Sequence, residues 1–187
     1  MKKKKIIVTI NNKQIKLEIL KIENFDKPKL RTIFKLWLEI SNLLKSLGSR
    51  GVNIPEGLTE SLFCLKMNSA RVIKAYNSKG SFDTINMKNN KRQQVKATSS
   101  NGPTSFGPNS FWDENELYLM DFIGKNGIID GTFSIYRILD KYIYLSKVNK
   151  TERLSDQQAQ KRRPRMDLRK DVVIKYKLKP IKKGSII

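Results

Sequence analysis

The first twenty positions hold two short runs rich in apolar and β-branched residues. Residues 6–10 and 15–20 read as strands of a hairpin, turned near Asn11 and Asn12. A helical pattern follows. Leu30, Ile33, Phe34, Trp37, Leu38, Leu44 and Leu47 recur at helical spacing, with Asp26 as a cap, Pro28 in the first turn and Gly48 ending the run. They predict one long helix with Trp37 in the core. A second helix starts near Pro55, where Leu58, Leu62 and Leu65 make a buried stripe. Glu56 and Glu60 are four residues apart on it and share one face. Solvated carboxylates are also favoured at a helix start by the backbone dipole, so their position alone does not assign chemistry.

From Ala70 the period is two. ARVIKAY predicts a strand, NSKG a turn and SFDTINM a second strand, and the chain turns at Asn89-Asn90 into the strand RQQVKATS. Residues 97–110 hold two Pro and two Gly among small polar side chains and read as a structured loop. ELYLMDFIG, TFSIYRIL and VVIKYKL are strand-like, while DKYIYLSKV fits strand or helix equally. Two or three helices with six or so strands predict an α/β fold of the α+β type, a mixed sheet with helices packed against it. Residues 1–187 are expected to form one domain, with 1–5 a flexible basic arm and 179–187 a flexible tail.

Charge narrows the partner. The chain carries 38 Lys+Arg and 17 Asp+Glu, a net charge of +21, yet 39% of its residues are hydrophobic. That is a cored domain with a surface that draws in polyanions, rather than a disordered basic tail. With no His, neither a Ser-His-Asp or Cys-His triad nor a His-bearing zinc site is available. One cysteine, Cys64 in LFCLKM, excludes an internal disulfide and a thiolate cluster and reads as a small buried hydrophobe. Any metal must then be held by oxygen, which points to Mg²⁺ or a similar hard ion. The apolar part of the leader MKKKKIIVTI is too short for a signal peptide or a membrane span, so a cytoplasmic protein with no membrane partner is expected.

SFDTINMKNNKRQQVKATS holds the candidate chemistry. Across adjacent strands, Gln94 and Lys96 share a face and Val95 and Ala97 turn the other way. The pairing register, open from sequence, decides whether Asp83 joins Gln94 and Lys96. If it does, the Asp83 carboxylate, the Gln94 amide oxygen and the Val95 carbonyl are ligands for a divalent ion. Lys96 would orient water and offset charge on a phosphate in the transition state. Such Asp…x-Lys spacing arises readily by chance in so charged a chain. Two features sharpen it: the residues lie on consecutive strands, and no acid occurs between Thr84 and Trp112.

Asp83 followed by Gln94-Val95-Lys96 resembles the PD-(D/E)XK nuclease motif, with Gln where Asp or Glu usually stands. GVNIPEGLTE, GSFD, QVKATSS, SFGPNSFWDE and DQQ with RRPR resemble the small type II restriction endonucleases that recognise G-C-N-G-C, over roughly residues 10–178. The resemblance implies a restriction-endonuclease-like core and Mg²⁺-dependent cleavage of double-stranded DNA. It implies Asp83, Gln94 and Lys96 as catalytic residues, assisted by Glu60 or Glu56 from the preceding helix, with Glu60 favoured. It also implies a homodimer and a cognate DNA methyltransferase as functional partner. Gln94 removes one charge from the ion site and so predicts weaker Mg²⁺ affinity, or a relative that does not cut. The competing reading is a non-catalytic nucleic-acid binding module, RNA- or ribosome-associated.

For DNA contact the candidates are Lys161, Arg162, Arg163 and Arg165, as phosphate contacts or as donors to guanine, with Gln157 and Gln158 as base-edge contacts. Phe111 and Trp112 either pack the Gly/Pro-rich loop or touch DNA. The acidic WDENE is expected away from the duplex or at a subunit contact.

Overall fold

The computed structural model describes residues 1–10, 12–76, 78 and 80–187. Asn11 of the first expected turn, and Asn77 and Lys79 of the NSKG turn, lie outside the described residues. The chain opens with β1 (Lys2–Ile10) and β2 (Lys13–Lys21), followed by α1 (Lys27–Ser46) and α2 (Glu56–Met67). Next come β3 (Ser69–Tyr76), β4 (Thr84–Asn86), β5 (Arg92–Thr98), β6 (Thr104–Ser105), β7 (Leu117–Asp121) and β8 (Thr132–Ile138). The last part holds α3 (Asp140–Leu145), α4 (Leu154–Ala159), β9 (Arg165–Met166), a π-type helical segment (Arg169–Ile174) and β10 (Lys182–Ser185).

Eight strands form one mixed sheet in the order β1-β2-β3-β4-β5-β7-β8-β10, and β6 pairs with β9 separately. Only the β5–β7 pair of the large sheet is parallel. Alternation along its central strands feeds two cores. Val95, Tyr118, Met120, Phe133 and Ile135 face α1 and α2, meeting Phe34, Trp37, Leu58 and Phe63. Leu117, Leu119 and Ile138 face the other way, onto Ile143, Leu154, Leu168 and Val172. Helices therefore cover both sides of the sheet's centre, in agreement with the α+β, restriction-endonuclease-like architecture expected from sequence.

Three expectations change and one open reading is decided. Lys2–Lys5 form the first half of β1, pairing with Glu18–Lys21 of β2, so they are not a loose arm. Residues 182–185 pair with β8 as an edge strand, and Ile186 is buried, because the sheet would otherwise leave β8 with an open ladder. DKYIYL is helical. Within VVIKYKL, Val172–Ile174 end the π-type helical segment and Lys175–Lys177 form a turn, so no strand forms there. Val172 and Val173 are neighbours in sequence and both bury against the same cluster, which the two-sided alternation of a strand forbids. The β-branched residues mark burial there, not backbone.

Trp37 is 4% exposed, with its indole Nε1 donating to the Val52 carbonyl at 3.0 Å. Cys64 is buried and its thiol is pushed far above the ordinary range by that burial. No helix among the described residues is long and apolar enough to cross a membrane.

Candidate active site

β4 is only three residues long, and its pairing with β5 covers Thr84↔Gln93 and Ile85↔Arg92 alone. The register places Asp83 opposite Gln94. Backbone bonds hold Asp83 there: its N–H donates to Gln93 O at 3.0 Å, and its C=O accepts from Val72 N at 2.9 Å. Among the described residues, no strand lies beside the outer edge of β5 beyond Asp83. The side-chain oxygen Oδ2 of Asp83 takes the place of a ladder acceptor, receiving the Val95 N–H at 2.8 Å and the Gln94 side-chain amide. The Val95 carbonyl lies on that same edge, because one residue's N–H and C=O point together along a strand edge.

A cleft of about 490 Å³ opens at this edge. Asp83, Val95 and Lys96 line it together with Glu56, Thr59 and Glu60 of α2, residues 99–105 and Arg165. Lys96 also lies with its Nζ 5.3 Å from the centre of the Phe106 ring. The structure thus brings together Asp83, Val95, Lys96, Glu56 and Glu60, all expected from sequence. Gln94 sits beneath them, 3% exposed, and its Oε1 is buried without a hydrogen-bond partner.

The carboxylates sit close enough to disturb one another. Burial and the neighbouring Asp83 push Glu60 up to about 7, against the pull of the Arg71 guanidinium. Burial likewise raises Asp83, opposed by the Lys96 charge and the Val95 N–H. Glu60 is ion-paired to Arg71, a residue that sequence reasoning missed. Nothing in the sequence singled it out; the β3–β4 register, Arg71↔Thr84, places it one step from Asp83.

The acidic run after the Gly/Pro loop, expected to stay clear of the duplex, anchors β5 from behind. Asp113 accepts from the Arg92 backbone N–H at 2.7 Å and from its guanidinium. Glu116 accepts from Gln93 and Tyr118, each at 2.8 Å. Trp112 packs on the second core and donates to Asp140 at 2.9 Å.

A family model described as "Bsp6I restriction endonuclease" matches residues 22–175. The Type II restriction enzyme Bsp6I of Bacillus sp. (strain RFL6) is 32% identical over 155 residues, covering 81% of this chain and 83% of that protein. The chain belongs to the Bsp6I restriction endonuclease family. No solved structure matches it. As a restriction endonuclease it takes DNA as its partner, which accounts for a net charge of +21.

The C-terminal basic segment of this endonuclease divides on inspection. Arg165 lines the cleft, held in β9 by pairing with Ser105 of β6. Lys161 and Arg163 are exposed nearby in sequence. Arg162 is exposed but folds back onto Glu152 at 3.2 Å. Gln157 is buried and donates to Glu152 at 2.9 Å, and Gln158 donates to the Gly107 carbonyl at 3.1 Å. Both amide N–H groups placed on DNA by the sequence reading are thus engaged within the chain, holding α4 against its surroundings.

Proposed function

We propose that this restriction endonuclease hydrolyses phosphodiester bonds of double-stranded DNA at a short interrupted G/C palindrome, G-C-N-G-C, in a reaction that needs Mg²⁺. The observation that carries the reading is the bridge from Asp83 Oδ2 to Gln94 and to the Val95 N–H, in a cleft that also holds Lys96 and Glu60.

The donor set fits a hard divalent ion. No group of three or more His, Cys, Asp or Glu side chains is arranged for a metal among the described residues, so neutral oxygens must complete any shell. Gln94 Oε1, buried and unpartnered, is such an oxygen, and turning the side-chain amide exchanges it with Nε2 beside Asp83. Burial raises both Glu60 and Asp83, and a bound cation would offset that burial by favouring their charged forms. Asp83, Gln94, the Val95 carbonyl and Glu60 or Glu56 would hold the ion. When bound, it supplies positive charge against the scissile phosphate and makes water more acidic.

The chain's own groups do the rest. Lys96 Nζ offsets negative charge that develops on the phosphate and orients the attacking water. Arg71 keeps the Glu60 carboxylate turned toward Asp83. Arg165, in the same cleft, meets the duplex as a phosphate contact or as a bidentate donor to guanine O6 and N7. Lys161, Arg162 and Arg163 add phosphate contacts. The enzyme acts as a homodimer in the cytoplasm, its host DNA protected by a cognate methyltransferase.

The test is incubation of the purified protein with plasmid and Mg²⁺, beside Asp83→Ala and Lys96→Ala. The wild type is expected to give discrete fragments ending at G-C-N-G-C, and both variants intact plasmid. A smear would replace the site-specific reading with a non-specific one. Intact plasmid that is tightly bound by the wild type would leave a binding module.

A further inference from the structure

Helix α1 buries Leu30, Phe34 and Trp37 against α2 and the sheet, as its sequence predicts. Its outer side carries a second apolar line. Leu36, Ile40, Leu43 and Leu47 are 60, 50, 60 and 80% exposed. Steps of four, three and four residues place them in one stripe along the helix. A contiguous apolar stripe on an otherwise charged surface marks an interaction site. We infer that a second copy of this chain docks on it, forming a two-fold dimer that sets two catalytic clefts on one duplex. The inference rests on the nuclease reading above and assigns the surface through which that homodimer forms.

Charge selects the occupant. From residue 36 to residue 44 the chain has no Lys or Arg, and Glu39 is its one charged residue, although the whole chain carries 38 cations. A polyanion finds nothing there to neutralise its phosphates. Two copies at +21 each repel one another. They can approach at least cost where cations are missing, and this stripe is such a place. The stripe runs from Leu36 to Leu47, so about 17 Å of apolar line is available.

Continuity with the cleft gives the contact a purpose. The chain passes from the end of α1 directly to Arg50, Asn53 and Ile54, which line the cleft. A contact over the C-terminal half of α1 therefore brings two clefts toward each other. Each described chain holds one set of Asp83, Lys96 and Glu60, and cutting both strands at one site takes two. In a two-fold contact the same patch meets itself, so Ile40 at mid-stripe lies close to its own copy whichever way the helices run.

The experiment uses the full chain. Light scattering of the wild type is expected to give a dimer and Leu43→Glu a monomer. Because Leu43 is exposed, the variant should keep the wild-type melting temperature when compared at concentrations where both are monomeric. On plasmid, Leu43→Glu is expected to accumulate nicked circles, with linear product formed at least tenfold more slowly. Mild oxidation of Ile40→Cys should yield a cross-linked dimer, while Ile128→Cys, at a position 63% exposed elsewhere, should not. A wild-type monomer that cuts both strands overturns the inference. A dimer unaffected by Leu43→Glu and not cross-linked through position 40 overturns this surface, yet leaves a homodimer standing. A dimer that behaves as expected but cuts no DNA supports the surface and removes the nuclease reading instead.

Discussion

Gln94 stands where the resemblance to the PD-(D/E)XK motif would place a second carboxylate, and its amide changes the resting electrostatics. As an amide it donates to Asp83, whereas a carboxylate there would repel it. Gln94→Glu is therefore expected to lower the melting temperature of the metal-free protein by several degrees. It should also lower the Mg²⁺ concentration needed for half-maximal cutting, and Mg²⁺ should raise its melting temperature more than that of the wild type. A lower melting temperature with an unchanged Mg²⁺ requirement would remove Gln94 from the ion's shell. Glu60 supports a pH prediction. Its folded pKa of about 7 lies above the 4.5 of an unperturbed glutamate, so the folded state holds the proton more tightly. That contribution to stability is complete below about 4.5 and is lost as the pH rises through 7. The metal-free wild type should melt progressively lower from pH 5 to pH 8, and Glu60→Gln should flatten the trend. Parallel melting curves for the two proteins would rule out Glu60 as its source.

Among the elements, the short β4 matters most. Because it stops pairing after two residues of β5, the Val95 edge is left open to Asp83 and the cleft. β5 must then be aligned from elsewhere, and the segment before β7 does this. Asp113 binds both the backbone and the guanidinium of Arg92, and that pair is largely buried. Asp113→Ala leaves a buried guanidinium and an N–H without their acceptor, at an expected cost of roughly 2–4 kcal/mol in unfolding free energy. Cutting should fall as well, since residues two and four positions along the strand lose their alignment. Urea titration with cleavage assays checks both, and a loss under 1 kcal/mol would mean the acidic run does not hold β5. This anchoring was not legible beforehand. The acidic run was expected away from the duplex or at a subunit contact, and only its fold-back onto Arg92 shows what it holds.

On the scale of the whole molecule, the charge of +21 sets the manner of DNA binding. Affinity for a duplex should fall steeply with salt, linearly on a log–log plot, as counterions are released. Arg165→Ala should reduce the magnitude of that slope by about one if Arg165 meets a phosphate. It should instead relax selectivity at one base pair if Arg165 reads guanine. Binding titrations at several salt concentrations, on cognate and single-mismatch duplexes, separate these outcomes. An unchanged slope with unchanged selectivity would take Arg165 off the duplex.

What the chain determined on its own is its local and compositional character. Helical periodicity placed α1 and α2, and alternation placed β3, β5, β7 and β8. The missing histidines left only oxygen chemistry for a metal, and the consecutive strands carrying Asp83, Gln94 and Lys96, with the family resemblance, singled out the candidate site. Tertiary structure decided whatever depends on pairing between distant segments. The Thr84↔Gln93 register turned an open question into a bridge from Asp83 to Val95. The edge of β8 recruited residues 182–185, and burial of two adjacent valines curled the start of a strand-like segment into a π-type helix. The reason is physical: periodicity records which residues seek an apolar environment, while the partner that supplies it is chosen only once the chain has folded back on itself.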